Sequence, residues 1–206
     1  MPVETAVARP CAHAVVAAIL RRRSISPRRL LAPGPGEGHV RLLVEAALAA
    51  PDHGRLRPIR FIAIGNDDRR SLAMVFVAGT RELAPDMPDD ALQRDAEKAH
   101  HAPCLLAVVA HIVEDQHIIP ATEQWIAIGA AVENVLLAAE DLGYGAMIVS
   151  GQKVRTKALR EAFGLASDEH LVGFIALGTP ESPPRPADRP AAGEHLAHWV
   201  PPRIYR

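Results

Sequence analysis

The chain has 206 residues, 49% of them hydrophobic and 23% charged, enough to bury a sizeable core and closer to one compact domain than to two. With 23 Lys plus Arg against 24 Asp plus Glu the formal charge is −1, so no global field draws the protein toward nucleic acid or anionic lipid, and any basic site has to be local. Cys11 and Cys104 lack metal-ligand spacing and lie in apolar sequence, which fits a reduced, cytoplasmic protein rather than a disulfide scaffold. The first 20 residues lack the layout of a signal peptide, and no stretch approaches the roughly 20 apolar residues that span a bilayer.

In chain order, residues 11–24, CAHAVVAAILRRRS, predict a helix whose last turn carries positive charge, and SISPRRLLAPGPGEG breaks it. Residues 37–50 set Val40, Leu43, Val44, Ala47 and Leu48 on one helical face until Pro51 ends the pattern. Residues 59–65 and 103–113 are short apolar runs bounded by Pro or Gly and read as buried strands, with a helix over 67–84 between them. Residues 121–142 are apolar almost all round, interrupted chiefly by Glu123, Gln124, Glu133 and Asn134, and predict a long helix that is centrally buried or part of a subunit interface. A short strand entered and left through glycine follows at 143–151, then a helix over 154–165 and a last strand at 171–178. Helices and strands alternate, so the class is α/β or α+β. After Thr179, prolines exclude regular structure from a tail that is either disordered or strapped across a surface, with Trp199 and Tyr205 as its large anchors.

Three stretches could carry chemistry. In RRRS, residues 21–24, the arginines are either a solvated helix end or an anion clamp, because guanidinium forks match phosphate and Ser24 adds a donor. In PDHGRLRP, residues 51–58, Asp52 and Gly54 favour a turn with His53 at its apex, and Arg55 and Arg57 flank Leu56 before Pro58 forces an extended exit. In GYGAMIVSG, the glycines bracket either a plain core strand or one whose backbone near residues 148–151 approaches a flat ligand. No metal site is expected: His100, His101, His111 and His117 are the densest histidines, yet HExxH and paired CxxC are absent. IVSGQ is not a nucleophile elbow, and GPGEG does not fit a dinucleotide fingerprint.

Taken together, RRRSIS, AALAAPDHGRLRPIRFIAI, EQWIAIGAAVENVLLAAEDLGYGAMIVSG and LVGFIALGTP resemble, in order and spacing over roughly residues 14–181, the FMN-dependent nitroreductase superfamily and its short YdjA-like branch. The resemblance implies an α+β fold with a central mixed sheet flanked by helices, in an intertwined homodimer with FMN at the subunit interface. It implies a single FMN-binding domain over residues 1–180 and a Pro-rich tail, 181–206, strapped over the partner subunit. Arg22, Arg23 and Ser24 would hold the FMN phosphate and ribityl chain. His53, with Arg55 or Arg57, would reach the flavin, and Ile148, Val149, Ser150 and Gly151 would run beside its ring. Gly129, Ala130 and Asn134 would lie on the helix at the dimer interface.

The implied activity is hydride transfer from NADH or NADPH to the flavin and on to a nitroaromatic, quinone or similar small-molecule acceptor, by ping-pong, with no obligatory catalytic side chain because the flavin carries the chemistry. Arg55 or a neighbouring arginine is the candidate for stabilising negative charge near flavin N1 and O2. The sequence departs from the branch at Ile148 and Val149, where Trp and a polar or basic residue are usual, and at Ile59, where Trp is usual. A flavoprotein with a regulatory, dehalogenating or flavin-fragmenting role is the first alternative. A basic module using Arg21, Arg22, Arg23, Arg28 and Arg29 on phosphate or nucleic acid is a remote one, since five arginines in a near-neutral chain make a small patch.

Overall fold

Five strands form one sheet in a computed structural model that describes residues 13–114, 118–184, 188–200 and 202. Cys11, His117 and Tyr205 lie outside the described residues. The strands are β1 (Leu30–Leu31), β2 (Ile59–Ile64), β3 (Cys104–His111), β4 (Gly145–Val149) and β5 (Glu169–Pro180). The helices are α1 (Ala14–Arg21), α2 (Glu37–Leu48), α3 (Arg69–Leu83), α4 (Asp89–Glu97), α5 (Ala121–Asp141) and α6 (Lys157–Ala162).

β5 is the hub of the sheet, pairing with β3, β4 and β1, while β2 adds to β3. Every one of these pairings is antiparallel. Among the described residues, the sheet expected to be mixed therefore has parallel pairing only at one isolated bridge, Ser24 to Ala146, because each connection between paired strands returns the chain on a reversed heading.

Helices cover both faces, which is why β3 reads as a continuous apolar run instead of an alternating one. Leu105, Ala107 and Val109 join a core with Leu72 and Phe76 of α3 and Leu159 of α6. Leu106 and Val108 join the opposite core with Leu43 of α2 and Ala131, Val135 and Leu136 of α5. Gln124, buried at the start of α5, is satisfied by the backbone of Val113 and Ile119 and so closes the loop before that helix.

Four elements differ from the sequence reading. α4 and β1 were not expected: α4 is polar, with only Leu92 and Asp95 buried, and β1 is a two-residue pairing to the end of β5. The helix expected over 154–165 is α6, shortened because a 3-10 turn occupies Gln152–Arg155 and the Glu82 carboxylate caps the first N–H groups, Lys157 and Ala158, at 2.8 and 2.7 Å. β5 runs two residues further at each end than expected and carries a bulge: Val108 pairs with Gly173 but Val109 with Leu171, leaving Val172 extra. Gly173 is required there, since an added Cβ would lie 2.5 Å from the Val149 carbonyl oxygen.

Candidate active site

Arg22, Arg23 and Ser24 leave the end of α1 and are anchored to the start of β4, where Ile25 N–H donates to the Ala146 carbonyl at 3.1 Å. Arg22 Nε donates to Glu133 of α5 at 2.8 Å, and Arg23 Nη1 donates to the carbonyls of Leu20 and Arg22. Two guanidinium nitrogens remain buried without a partner, Arg22 Nη1 and Arg23 Nε. A buried donor left unmade costs about 1–3 kcal/mol, so both are poised for an acceptor that brings oxygen atoms to them. The five arginines singled out as a possible basic patch are largely committed: Arg21 pairs with Glu140, Arg22 with Glu133 and Arg29 with Glu181.

At its other end β4 forms one wall of a cleft of about 460 Å³. Met147, Val149, Ser150 and Gly151 are that wall, Phe76, Leu105, Leu159 and Phe174 the apolar depth, and Ser26, Arg28, Lys98 and Lys153 the polar surround. Ile148 points the other way, into the α2–α5 core, so of the four expected contacts its side chain is the one turned from this cleft. Ser150 Oγ donates to the Val172 carbonyl at 2.6 Å, fastening the strand end to the β5 bulge. Gly151 has φ 149° and ψ −174°, a region essentially closed to other residues. Ser150 and Gly151 also border a wider cleft, about 820 Å³, with Trp125, Arg155 and His170.

The PDHGRLRP loop is built as its residues suggest. The Asp52 carboxylate accepts the backbone N–H groups of Leu56 and Arg57 at 3.2 and 2.8 Å, and His53 Nδ1 lies 2.7 Å from Glu123 on the first turn of α5. Gly54, Arg55 and Arg57 all have positive φ, a strained backbone for the two arginines. This loop borders a cleft of about 520 Å³ with Ile59, Ala127 and Ala131, on the α2–α5 face of the sheet.

A model of the nitroreductase family matches residues 19–179. This chain belongs to the nitroreductase family. It is 34% identical over 154 residues, 75% of its length and 83% of the relative's, to a Haemophilus influenzae protein named "Putative NAD(P)H nitroreductase". It is 32% identical over 163 residues, 79% of its length and 86% of the relative's, to "Putative NAD(P)H nitroreductase YdjA" of Escherichia coli K12, in keeping with a YdjA-like branch. Among solved structures it matches a Desulfovibrio desulfuricans "putative nitroreductase in complex with fmn" at a TM-score of 0.69 and 29% identity, covering 92% of this chain and 99% of that one.

In this nitroreductase-family chain Arg22, Arg23 and Ser24 come together with β4, whose far end carries Val149, Ser150 and Gly151. His53, Arg55 and Arg57 do not line the Gly151 cleft: their loop packs on the α2–α5 face, whereas that cleft opens on the α3–α6 face, and Arg22 and Arg23 themselves lie against α5, beside Leu136 and Glu140. Asn134 is spent within the chain, its Nδ2 donating to the Ala46 carbonyl at 3.0 Å and tying α5 to α2. Among the described residues no three His, Cys, Asp or Glu side chains converge on a metal position, and no helix is long and apolar enough to cross a membrane.

Sequence reasoning missed a charged group beside the cleft. Asp95 of α4, 6% exposed, accepts from Thr80 Oγ1 at 2.6 Å and Lys98 Nζ at 3.0 Å and pairs with Lys153, whose Nζ also sits 4.9 Å from the centre of the Phe76 ring. Burial opposes the charge of Asp95, but the hydrogen bonds from Lys153, Thr80 and Lys98 outweigh it and hold the carboxyl below its ordinary range. Burial lowers the pKa of Lys153, with the bond to Asp95 acting against it. The available signal was an aspartate and a threonine on the apolar faces of α4 and α3, readable only once α4 is recognised.

Proposed function

We propose that the protein is an FMN-dependent oxidoreductase that takes hydride from NADH or NADPH and passes it, by ping-pong, to nitroaromatics, quinones or similar electron-poor small molecules. The observation that carries this reading is the pair of buried, unpartnered guanidinium nitrogens of Arg22 and Arg23. A phosphomonoester with about two negative charges supplies the acceptor oxygens they lack. Ser24 adds a hydroxyl, and the backbone and side chains of Val149–Gly151 offer a flat wall with a glycine where a ring approaches closely. Bound there, FMN supplies the hydride chemistry. This chain's residues position it, exclude water from the apolar depth of the cleft and hold the charge balance around it.

The same reading makes the functional unit a homodimer. His53, Arg55 and Arg57 sit across the sheet from their own chain's cleft, so they serve the site of a second subunit. Apolar side chains at Val15, Ile19 and Leu20 of α1, Leu48 after α2 begins its last turn, and Ile126 of α5 are exposed in the single chain and are buried by such a partner. Residues 1–180 form the cofactor-binding domain and 181–206 the strap over the partner, where Trp199, 81% exposed in one chain, finds its packing surface. Trp125 and Arg155 line the wider cleft at Gly151, where an acceptor ring would stack on the indole and its nitro or carbonyl oxygens would accept from the guanidinium.

The test is the visible spectrum of the purified protein before and after FMN loading, followed by anaerobic NADH and NADPH. A flavin spectrum that bleaches supports the reductase. Bound flavin that does not bleach supports the specialised flavoprotein instead, a reading favoured by the aliphatic Ile59, Ile148 and Val149 where the branch has aromatic or polar groups. No bound flavin refutes both.

A further inference from the structure

We infer that the cavity around Arg69, where the start of α3 meets β1 and the turn leading into β3, is a binding site for a small monocarboxylate held by the Arg69 guanidinium. The inference is independent of the FMN reading, since this cavity shares no lining residue with the cleft at Gly151.

The donor comes first. Arg69 opens α3 and is 4% exposed, yet it forms no ion pair among the described residues. Its Nη1 donates to the Ala99 carbonyl at 3.0 Å and its Nη2 to the Pro103 carbonyl at 3.3 Å, which leaves Nε buried with no acceptor. Tying down two carbonyls accounts for two of the N–H donors that a guanidinium carries, and not for Nε. Burial lowers the pKa of the group, and the Cys104 thiol is the neighbour that acts against it, so the positive charge has no carboxylate of the chain to balance it. A carboxylate that gives one oxygen to Nε and the other to the Nη group on the same edge supplies both the missing acceptor and the missing charge.

The cavity comes second. It holds about 440 Å³, with Arg69 in its wall. Leu31, Ala32 and Pro103 make part of that wall apolar, Asn66 and His100 add polar groups, and no Asp or Glu lines it. A ligand there meets one fixed positive charge, which one carboxylate balances. A phosphomonoester, with about two negative charges, would bring one in excess against apolar walls. The hydrocarbon part of the acid packs on Leu31 and Pro103, covering a leucine that is 48% exposed in the chain alone.

The site lies behind the turn that also serves the Gly151 cleft. Residues 98–101 contribute Lys98 and His101 to the lining of that cleft and His100 to this one, and Arg69 ties the turn to α3 through the Ala99 carbonyl. A carboxylate bound here touches the chain without touching a ring in the Gly151 cleft.

Calorimetric titration of the purified protein with sodium butyrate tests this, with butyramide as the neutral isostere, inorganic phosphate as the competing anion and the flavin absorbance recorded in parallel. Butyrate is expected to bind saturably without perturbing the flavin spectrum, and butyramide and phosphate at least about tenfold more weakly. Arg69→Met is expected to weaken butyrate by about tenfold or more while keeping its flavin. No saturable butyrate binding, equal binding of butyramide, tighter binding of phosphate, or wild-type butyrate affinity in Arg69→Met each overturns the assignment. Butyrate that shifts the flavin spectrum and still binds Arg69→Met sits over the flavin instead, and overturns it too. Should Arg69→Met not fold, His100→Glu decides, because His100 is exposed and the new carboxylate competes for Arg69 from the cavity wall. Butyrate binding about tenfold weaker there supports the site, and an unchanged affinity overturns it. A protein that holds no flavin refutes the FMN reading and leaves the calorimetric test of this site as it stands.

Discussion

Gly173→Ala tests whether the end of β4 is placed by β5. The added Cβ would lie 2.5 Å from the Val149 oxygen, 3.2 Å from Ser150 Cβ and 3.3 Å from the Val149 carbonyl carbon. Reaching even the 3.0 Å that real Cβ atoms respect requires a shift of 3.0 − 2.5 = 0.5 Å in backbone, not in a flexible side chain. That shift strains the Val149–Phe174 pairing and the Ser150–Val172 hydrogen bond together. Overpacking of this kind costs about 1–3 kcal/mol. At about 2–4 °C per kcal/mol for a chain of this size, the Tm of the apo-protein should fall by roughly 2–12 °C. Because the displaced atoms are the wall of the cleft, FMN affinity should fall by about tenfold, equivalent to 1.4 kcal/mol. Thermal unfolding and an FMN fluorescence titration measure both. Gly38→Ala is the control: an added Cβ there meets nothing within 4 Å, and its place in α2 predicts a gain of up to about 1 kcal/mol. Wild-type stability and FMN affinity in Gly173→Ala would refute the claim that the bulge positions the site.

Arg22→Ala combined with Arg23→Ala should abolish FMN retention through a desalting column while leaving the far-UV spectrum and cooperative unfolding in place; unchanged flavin content rules out the phosphate assignment. His53→Ala should weaken FMN binding by about threefold to tenfold through loss of one hydrogen-bonded anchor, read by the same titration. Arg60 donates to Glu169 at 2.6 and 2.9 Å and, chiefly through those bonds, holds its carboxyl at about 2 rather than 4.5. A carboxyl with a depressed folded pKa contributes stability that is complete above its unfolded pKa and lost as the pH falls through the folded one. Arg60→Met should therefore melt below the wild type at pH 7, with the gap closing between pH 4.5 and about 2; a gap independent of pH would show that packing, not the ion pair, is responsible.

Much of the scaffold was legible because it is written locally. Pro51 and Pro58 bracket a loop whose Asp52 caps its own backbone, and the unbroken apolar run of β3 announces a strand covered on both sides. The clamp at Arg22 and Arg23 was legible from residue type alone. What was not legible depends on contacts distant in sequence. The position of Lys153 is set by Asp95, 58 residues earlier in the chain, and the start of α6 by Glu82, 75 residues before Lys157. The face on which the His53 loop lands follows from its bond to Glu123, 70 residues later, and no local pattern encodes it.

The split of the loop and the cleft between opposite faces of one sheet has a genetic consequence under the proposed dimer. Each subunit gives its arginine clamp to one site and its His53 loop to the other, so damage to these two elements falls on different sites. In a mixed dimer of a clamp-defective chain and a loop-defective chain, one site collects both lesions and the other collects neither. Two alleles that are each inactive alone would then restore part of the activity when expressed together, whereas two clamp alleles would not.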